Sequence, residues 1–233
     1  MPSRYLRPLR TAFAAAGDPA RAEGGRAYLK SEMPLHGVGA IALRRICRAA
    51  FAGAAFADAG EFCGEVLAIW RGAKFREERY AAIELTGVRA ARAFQTPAAL
   101  PMYEEMIVTG AWWDLVDVLA TRRVGGILAG HPARMKPTLL AWSRGADLWK
   151  RRTAILAQTR FKGATDLELL YASIAPSIES KEFFLRKAIG WALRELAWWN
   201  PVEARRYVAA HPELSGLSKR EALKNVARTI RSE

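Results

Sequence analysis

The sequence predicts an all-α chain, an α-solenoid of helical hairpin repeats with a concave basic face. Three observations carry that prediction. Alanine, leucine, arginine and glutamate, all compatible with helix, dominate nearly every segment, while the β-branched alternation that marks strands is absent. The turns are short runs of Gly, Pro, Asp and Ser, such as Gly17-Asp18-Pro19, Met33-Pro34 and Gly130-His131-Pro132. Thr96-Pro97, His131-Pro132 and the segment near Asp166 recur with a period of about 35–40 residues, within the range of helical-hairpin repeats. Short connections make neighbouring helices antiparallel, and pairs in series expose one helix of each pair on a concave side.

In order, helices are expected at 4–16, 19–31, 39–51, 59–71, 74–94, 97–109, 111–119, 122–130, 133–143, 146–158, 165–174, 181–198, 201–210 and 218–231. No linker or low-complexity run divides them, so residues 1–233 are expected to form one domain, long enough to bury a real core. Gly37-Val38-Gly39 superficially resembles a dinucleotide-binding loop. It follows Met-Pro rather than a strand and lacks a third glycine, which rules that reading out.

Lys plus Arg number 36 against 23 Asp plus Glu, a net charge of +13 that favours a polyanionic partner or an anionic surface. Cys47 and Cys63 have no metal-ligand spacing, which argues against a disulfide framework or a zinc site and for a reduced compartment. The N-terminus carries arginines but no apolar run before a cleavage site, and no membrane-length apolar stretch follows. A soluble, cytoplasmic protein is the expectation. His36, His131 and His211 lie far apart beside turns, no serine sits in a nucleophile elbow, and no Walker loop exists. What remains is a basic helical trough with tryptophans, a tyrosine, arginines and one well-placed carboxylate.

Four stretches carry candidate chemistry. In 181–201, Phe184, Ala188, Trp191 and Leu193 recur at helical spacing, and Asn200-Pro201 ends the helix. Gly190 costs that helix about 1 kcal/mol relative to alanine and lets something approach its backbone closely. Arg194 shares the face of Trp191. A buried helix with a core tryptophan and a surface arginine accounts for the same residues. In 110–119, Trp113 and Asp117 stack on one helix face, Trp112 points toward the core, and Asp114 faces elsewhere near the helix start. Taken alone, Trp113 reads more simply as an interhelical packing residue and Asp117 as one half of a salt bridge to a neighbouring helix. Lys150, Arg151 and Arg152 are consecutive and cannot share a face; a solvated helix surface is their default. Tyr28, after Gly24-Gly25, is either a site residue or a core residue with its hydroxyl at the surface.

Together these stretches resemble the AlkD branch of the DNA alkylation repair glycosylases, which are built of HEAT-like repeats. The matching residues are Trp112-Trp113-Asp114-Leu115-Val116-Asp117, the 149–156 stretch, and Lys181-Glu-Phe-Phe followed by Ala188-Ile-Gly-Trp-Ala-Leu-Arg194; the likeness runs from about Leu9 to the 217–224 segment. The resemblance implies that Asp117 is the catalytic carboxylate and that Trp113 and Trp191 lie against the lesion nucleotide. It also puts Tyr28 in the site, with Arg152 and Arg194 on the DNA backbone. Trp198-Trp199 and Met33-Pro34-Leu35-His36 depart from the family pattern, the first where polar residues are expected and the second where more aromatic ones are.

That activity fits the residues. An N3- or N7-alkylated purine is cationic and leaves as a neutral base, so it needs little acid assistance. A carboxylate beside the sugar stabilises the oxocarbenium-like ion and orients water. Indoles suit the cation at about 0.5–2 kcal/mol per contact. The expected protein is a monomeric, monofunctional alkylpurine DNA glycosylase that acts on duplex DNA, with no metal, no cofactor and no membrane partner. The rival is a non-catalytic, basic helical-repeat scaffold that binds nucleic acid without using Asp117.

Overall fold

The computed structural model describes residues 3–224 and 226, and every regular element among them is helical. Contacts divide the chain into two compact units, Met1–Met102 and Tyr103–Glu233, and the division falls inside a helix where no linker composition marks it.

The first unit contains α1 (Leu6–Ala15), α2 (Pro19–Leu29), α3 (Ala40–Ala50), α4 (Ala59–Gly72) and α5 (Arg76–Leu85), then 3₁₀ turns at Arg89–Phe94 and Pro97–Ala99. Asp18 and Asp58 start α2 and α4 by accepting from the amides of Arg21 (3.1 Å) and Glu61 (2.8 Å), satisfying orphan donors of the first turn. Leu9, Phe13, Phe62, Val66, Ile69, Ala81 and Leu85 are fully buried between these helices. The helix expected at 74–94 stops at Leu85. Thr86 turns its hydroxyl onto the carbonyl of Ile83 (2.6 Å), and Gln95 Nε2 donates to the Thr86 carbonyl (2.9 Å).

The Gly37 segment has a clear structural role. Gly37 sits at φ +79°, where a Cβ would collide with the Asp18 carbonyl at 2.0 Å. The amides of His36, Gly37 and Val38 donate to the buried Glu77 carboxylate at 3.0, 2.9 and 3.1 Å. The donors that a phosphate would need already hold an internal anion.

The second unit begins within α6 (Leu100–Gly110) and continues through α7 (Trp113–Val118), a π-helical segment (Leu119–Val124) and α8 (Gly125–Gly130). The helices expected separately at 111–119 and 122–130 are therefore one continuous run, because no glycine or proline interrupts it at the expected gap. After α9 (Pro132–Arg144) and α10 (Leu148–Leu156) come α11 (Leu167–Ile174), α12 (Phe183–Trp199), α13 (Pro201–Ala210) and α14 (Gly216–Leu223). The part of the expected 218–231 helix beyond 224, Val226 apart, lies outside the described residues.

α12 is the centre of this unit. Leu185, Ala188, Ile189, Leu193 and Leu196 bury one side of it against Ile155 and Leu156 of α10, Leu170 and Ile174 of α11, and Tyr207 of α13. What approaches Gly190 is α14: an added Cβ would meet Glu221 Cβ at 2.5 Å and the Ser218 carbonyl at 3.1 Å. The glycine serves helix packing.

Candidate active site

α7, α10 and α12 meet through one arginine. Arg152 donates from Nε to Asp117 Oδ1 (2.7 Å) and from Nη2 to Asp117 Oδ2 (2.9 Å), while its Nη1 donates to the Phe184 carbonyl (2.5 Å). The first two contacts form a bidentate fork and the third pins the guanidinium to the start of α12. The Arg152 side chain is 5% exposed and that of Asp117 is 18% exposed, so the carboxylate is the part of the pair that still reaches solvent.

Burial pushes the Asp117 carboxyl above its ordinary value. The Arg152 guanidinium pulls it back down, and the charge of Asp114 adds to the rise. A partly desolvated carboxylate fixed by a fork is a pre-organised anion, because neither oxygen has to reorient when positive charge develops beside it.

Aromatic rings support this junction. Trp112, the residue before α7, packs at 6.1 Å from Trp149 of α10 and edge-on at 5.3 Å from Phe184 of α12; Trp149 and Phe184 are 5.0 Å apart. The Arg152 guanidinium lies 5.8 Å from the Phe184 ring centroid. Trp112 precedes α7 in extended backbone (φ −153°, ψ 145°), so its packing on these rings is set by the turn and not by a helical offset, while Trp113 and Asp117 lie one turn apart within α7. Thr121 donates its hydroxyl to the Asp117 carbonyl (2.8 Å), where the π-helical segment begins to shift the turn.

The sequence from residue 9 to 226 matches the family model described as DNA alkylation repair enzyme. The chain belongs to the DNA alkylation repair enzyme family. One solved structure, titled a predicted DNA alkylation repair enzyme from Enterococcus faecalis, is similar over 91% of this chain and 97% of its own, with a TM-score of 0.82 and 27% identity. No curated protein matches the sequence.

Within this family member, the second unit contains five of the six sequence-predicted site residues. Trp191 lies on α12 two turns after Phe184, half-buried against the core, and its Nε1 donates to Glu195 Oε1 (2.9 Å). Arg194 is paired, with Nη1 donating to Glu221 Oε2 (2.6 Å), while Lys187 reaches Glu221 Oε1 (3.0 Å). Lys187 first, then Arg194, hold the Glu221 carboxyl below its ordinary range. Tyr28 belongs to the first unit, where it is 74% exposed near the end of α2; the alternative of a core tyrosine is overturned.

One further expectation is corrected. The run from Lys150 to Arg152 is not a solvated face. Lys150 donates to Glu104 (2.5 Å) and Arg151 to Ser177 Oγ and the Pro176 carbonyl, while Arg152 is buried. Arg152 is therefore no surface arginine, and its removal is not a mild change. What the sequence reading missed is its partner. Asp117 and Arg152 are 35 residues apart, and Trp112, Trp149 and Phe184 follow the same rhythm. One repeat length brings each residue to the corresponding place in the next hairpin, so the period itself carried the signal.

Proposed function

We propose that this protein is a monofunctional DNA glycosylase that excises positively charged N3- and N7-alkylated purines from duplex DNA, with Asp117 as the catalytic carboxylate. The observation that carries this reading is the oriented, partly open Asp117 on the Trp113 face of α7. In the reaction the C1′–N bond breaks and its electron pair neutralises the cationic base. Water then adds to the oxocarbenium carbon, and its proton passes to Asp117 or to solvent. Trp113 and Trp191 offer aromatic faces to the cationic nucleotide. Arg152 acts through Asp117 by holding it, while Tyr28 and the remaining donors of Arg194 bind the DNA. The protein acts as a monomer on the duplex, a polyanion that suits its +13 charge. The free thiols of Cys47 and Cys63 fit a reduced, cytoplasmic setting.

The ion pair moderates the expected effect. A carboxylate about 4 Å from the developing cation contributes roughly 4 kcal/mol at an effective dielectric of 20, and a guanidinium about 8 Å away takes back roughly 2. The net of about 2 kcal/mol corresponds to about 30-fold in rate, a floor to which lost water orientation adds. The test is release of 7-methylguanine from methylated duplex DNA. Asp117→Asn is expected to lose at least about 30-fold, whereas Asp114→Asn should lose far less. Full activity in Asp117→Asn would leave a DNA-binding scaffold, a reading favoured only by the fact that Asp117 already has an ion-pair partner.

A further inference from the structure

The proposed excision site leaves the far end of α12 unused. There Trp198 and Trp199 are 49% and 55% exposed, the two tryptophans most open to solvent among this unit's described residues. With Arg160, Lys162, Thr159 and Glu195 they line an open groove of about 520 Å³. Lys162 Nζ lies 5.4 Å from the Trp199 ring centroid. Lys162 also holds a left-handed backbone at φ +58°, a conformation that costs a side-chain-bearing residue energy and that the adjacent Gly163 would adopt freely. The strained turn is what carries a cation to the face of an indole. Arg160 lies on a shared lip, because it also lines a second groove of about 710 Å³ with Arg122, Lys136 and Thr121.

From this juxtaposition we propose that Trp198, Trp199, Arg160 and Lys162 form a second nucleic-acid site, which takes an unpaired nucleotide of a single DNA strand. The base stacks on the exposed indoles and the strand's phosphates lie against Arg160 and Lys162. The chemistry of the groove selects this occupant. An apolar protein surface would match the indoles but would have to desolvate two cations, whereas a nucleotide supplies a π-face and an anion together. The groove is also large enough for a nucleoside, and it lies along the same helix as Trp191. The inference rests on DNA as the substrate of the protein, as proposed above. It does not need Asp117 to be catalytic.

The test uses a short fluorescein-labelled oligothymidylate and unlabelled, undamaged duplex, with binding followed by anisotropy on the full chain. The variants are Trp198→Ala/Trp199→Ala together and Lys162→Gly, which removes the cation while relieving the backbone. Each variant's fold is checked by its thermal transition. The double variant is expected to bind the oligonucleotide at least about tenfold more weakly, as losing a stacking platform predicts. Lys162→Gly should lose about threefold at low salt, and duplex affinity should stay within about twofold in both. Unchanged oligonucleotide affinity in the folded double variant would overturn the proposal. So would a wild-type dimer, seen by sedimentation, that this variant abolishes, because the indoles would then serve a second copy. Release of 7-methylguanine is measured alongside. If the wild type releases none yet the double variant loses oligonucleotide binding, the glycosylase reading fails and this one stands. If excision is normal and oligonucleotide binding is untouched by the substitutions, only this one fails.

Discussion

Glu78 in the first unit and Asp117 in the second are each gripped by one arginine through two hydrogen bonds, yet their acidities move in opposite directions. Arg10 holds Glu78 at 2.6 and 2.9 Å, and Arg152 holds Asp117 at 2.7 and 2.9 Å. Burial raises both. For Glu78 the bond from Arg10 and the backbone amides of Lys74 and Phe75 more than offset it, and its carboxyl ends below the ordinary range. Glu78 also sits in the first turn of α5, where unpaired amides favour an anion. Asp117 is five residues into its helix, receives no such amide, and faces the charge of Asp114, so burial wins. A guanidinium fork alone does not compensate a desolvated carboxylate. Glu78 is an anion sealed in place for structure, whereas Asp117 is an anion kept at a cost, as the catalytic role proposed above would require.

The contrast can be broken most forcefully at Arg152. Arg152→Ala leaves Asp117 desolvated without its counter-ion, which for a buried pair costs about 3 kcal/mol or more, and it frees the Phe184 carbonyl. A drop of that size in the urea-unfolding free energy is expected, with Arg152→Lys recovering only part of it because an ammonium cannot form the fork. A loss under about 0.5 kcal/mol would put Arg152 back among ordinary surface residues.

Next in size is the comparison of the carboxylates themselves. Glu78→Gln should destabilise by about 2 kcal/mol, less than a fully buried pair because Arg10 retains access to water, while excision per folded molecule stays near wild type. Asp117→Asn should destabilise by about 1–2 kcal/mol, since its amide group turns a donor toward one Arg152 N–H, and should also lose the excision described above. Equal losses of excision per folded molecule in the two variants would end the distinction between a structural and a catalytic carboxylate.

Much of this was legible in the sequence, and the gaps have physical causes. Helix positions followed from punctuation by Gly, Pro and Asp, because caps and breakers act locally: Asp147 and Asp166 start α10 and α11 where expected. The Trp113–Asp117 face followed from helical periodicity. The π-helical segment left no trace, because Leu119 to Val124 contains nothing that favours one helical hydrogen-bond register over another. Gly190 announced a close approach but not its partner, since α14 is fixed by tertiary packing. The partner of Arg152 needed the repeat period to be applied residue by residue.

The smallest effect tests the origin of the contrast. Asp117 has a folded-state acidity constant raised above its unfolded value, so the folded protein binds that proton more tightly. Its carboxylate therefore costs stability at neutral pH, and the cost is relieved as the pH falls through the raised value. Glu78 is depressed. The stability it contributes is fully present above its unfolded value, near 4.3, and is lost as the pH falls through its lower folded value. Unfolding free energies measured from about pH 6 down to about pH 3 should then diverge. The penalty of Asp117→Asn grows toward acid, because the wild type gains a proton that asparagine cannot bind, whereas the penalty of Glu78→Gln shrinks. Each change amounts to about 1.4 kcal/mol per pH unit separating folded from unfolded values. In the proposed reaction Asp117 acts ionised, so the acid limb of excision should lie above the ordinary aspartate range. If both penalties shrink together toward acid, the Arg152 fork does outweigh burial at Asp117, and the two carboxylates differ only in where they sit.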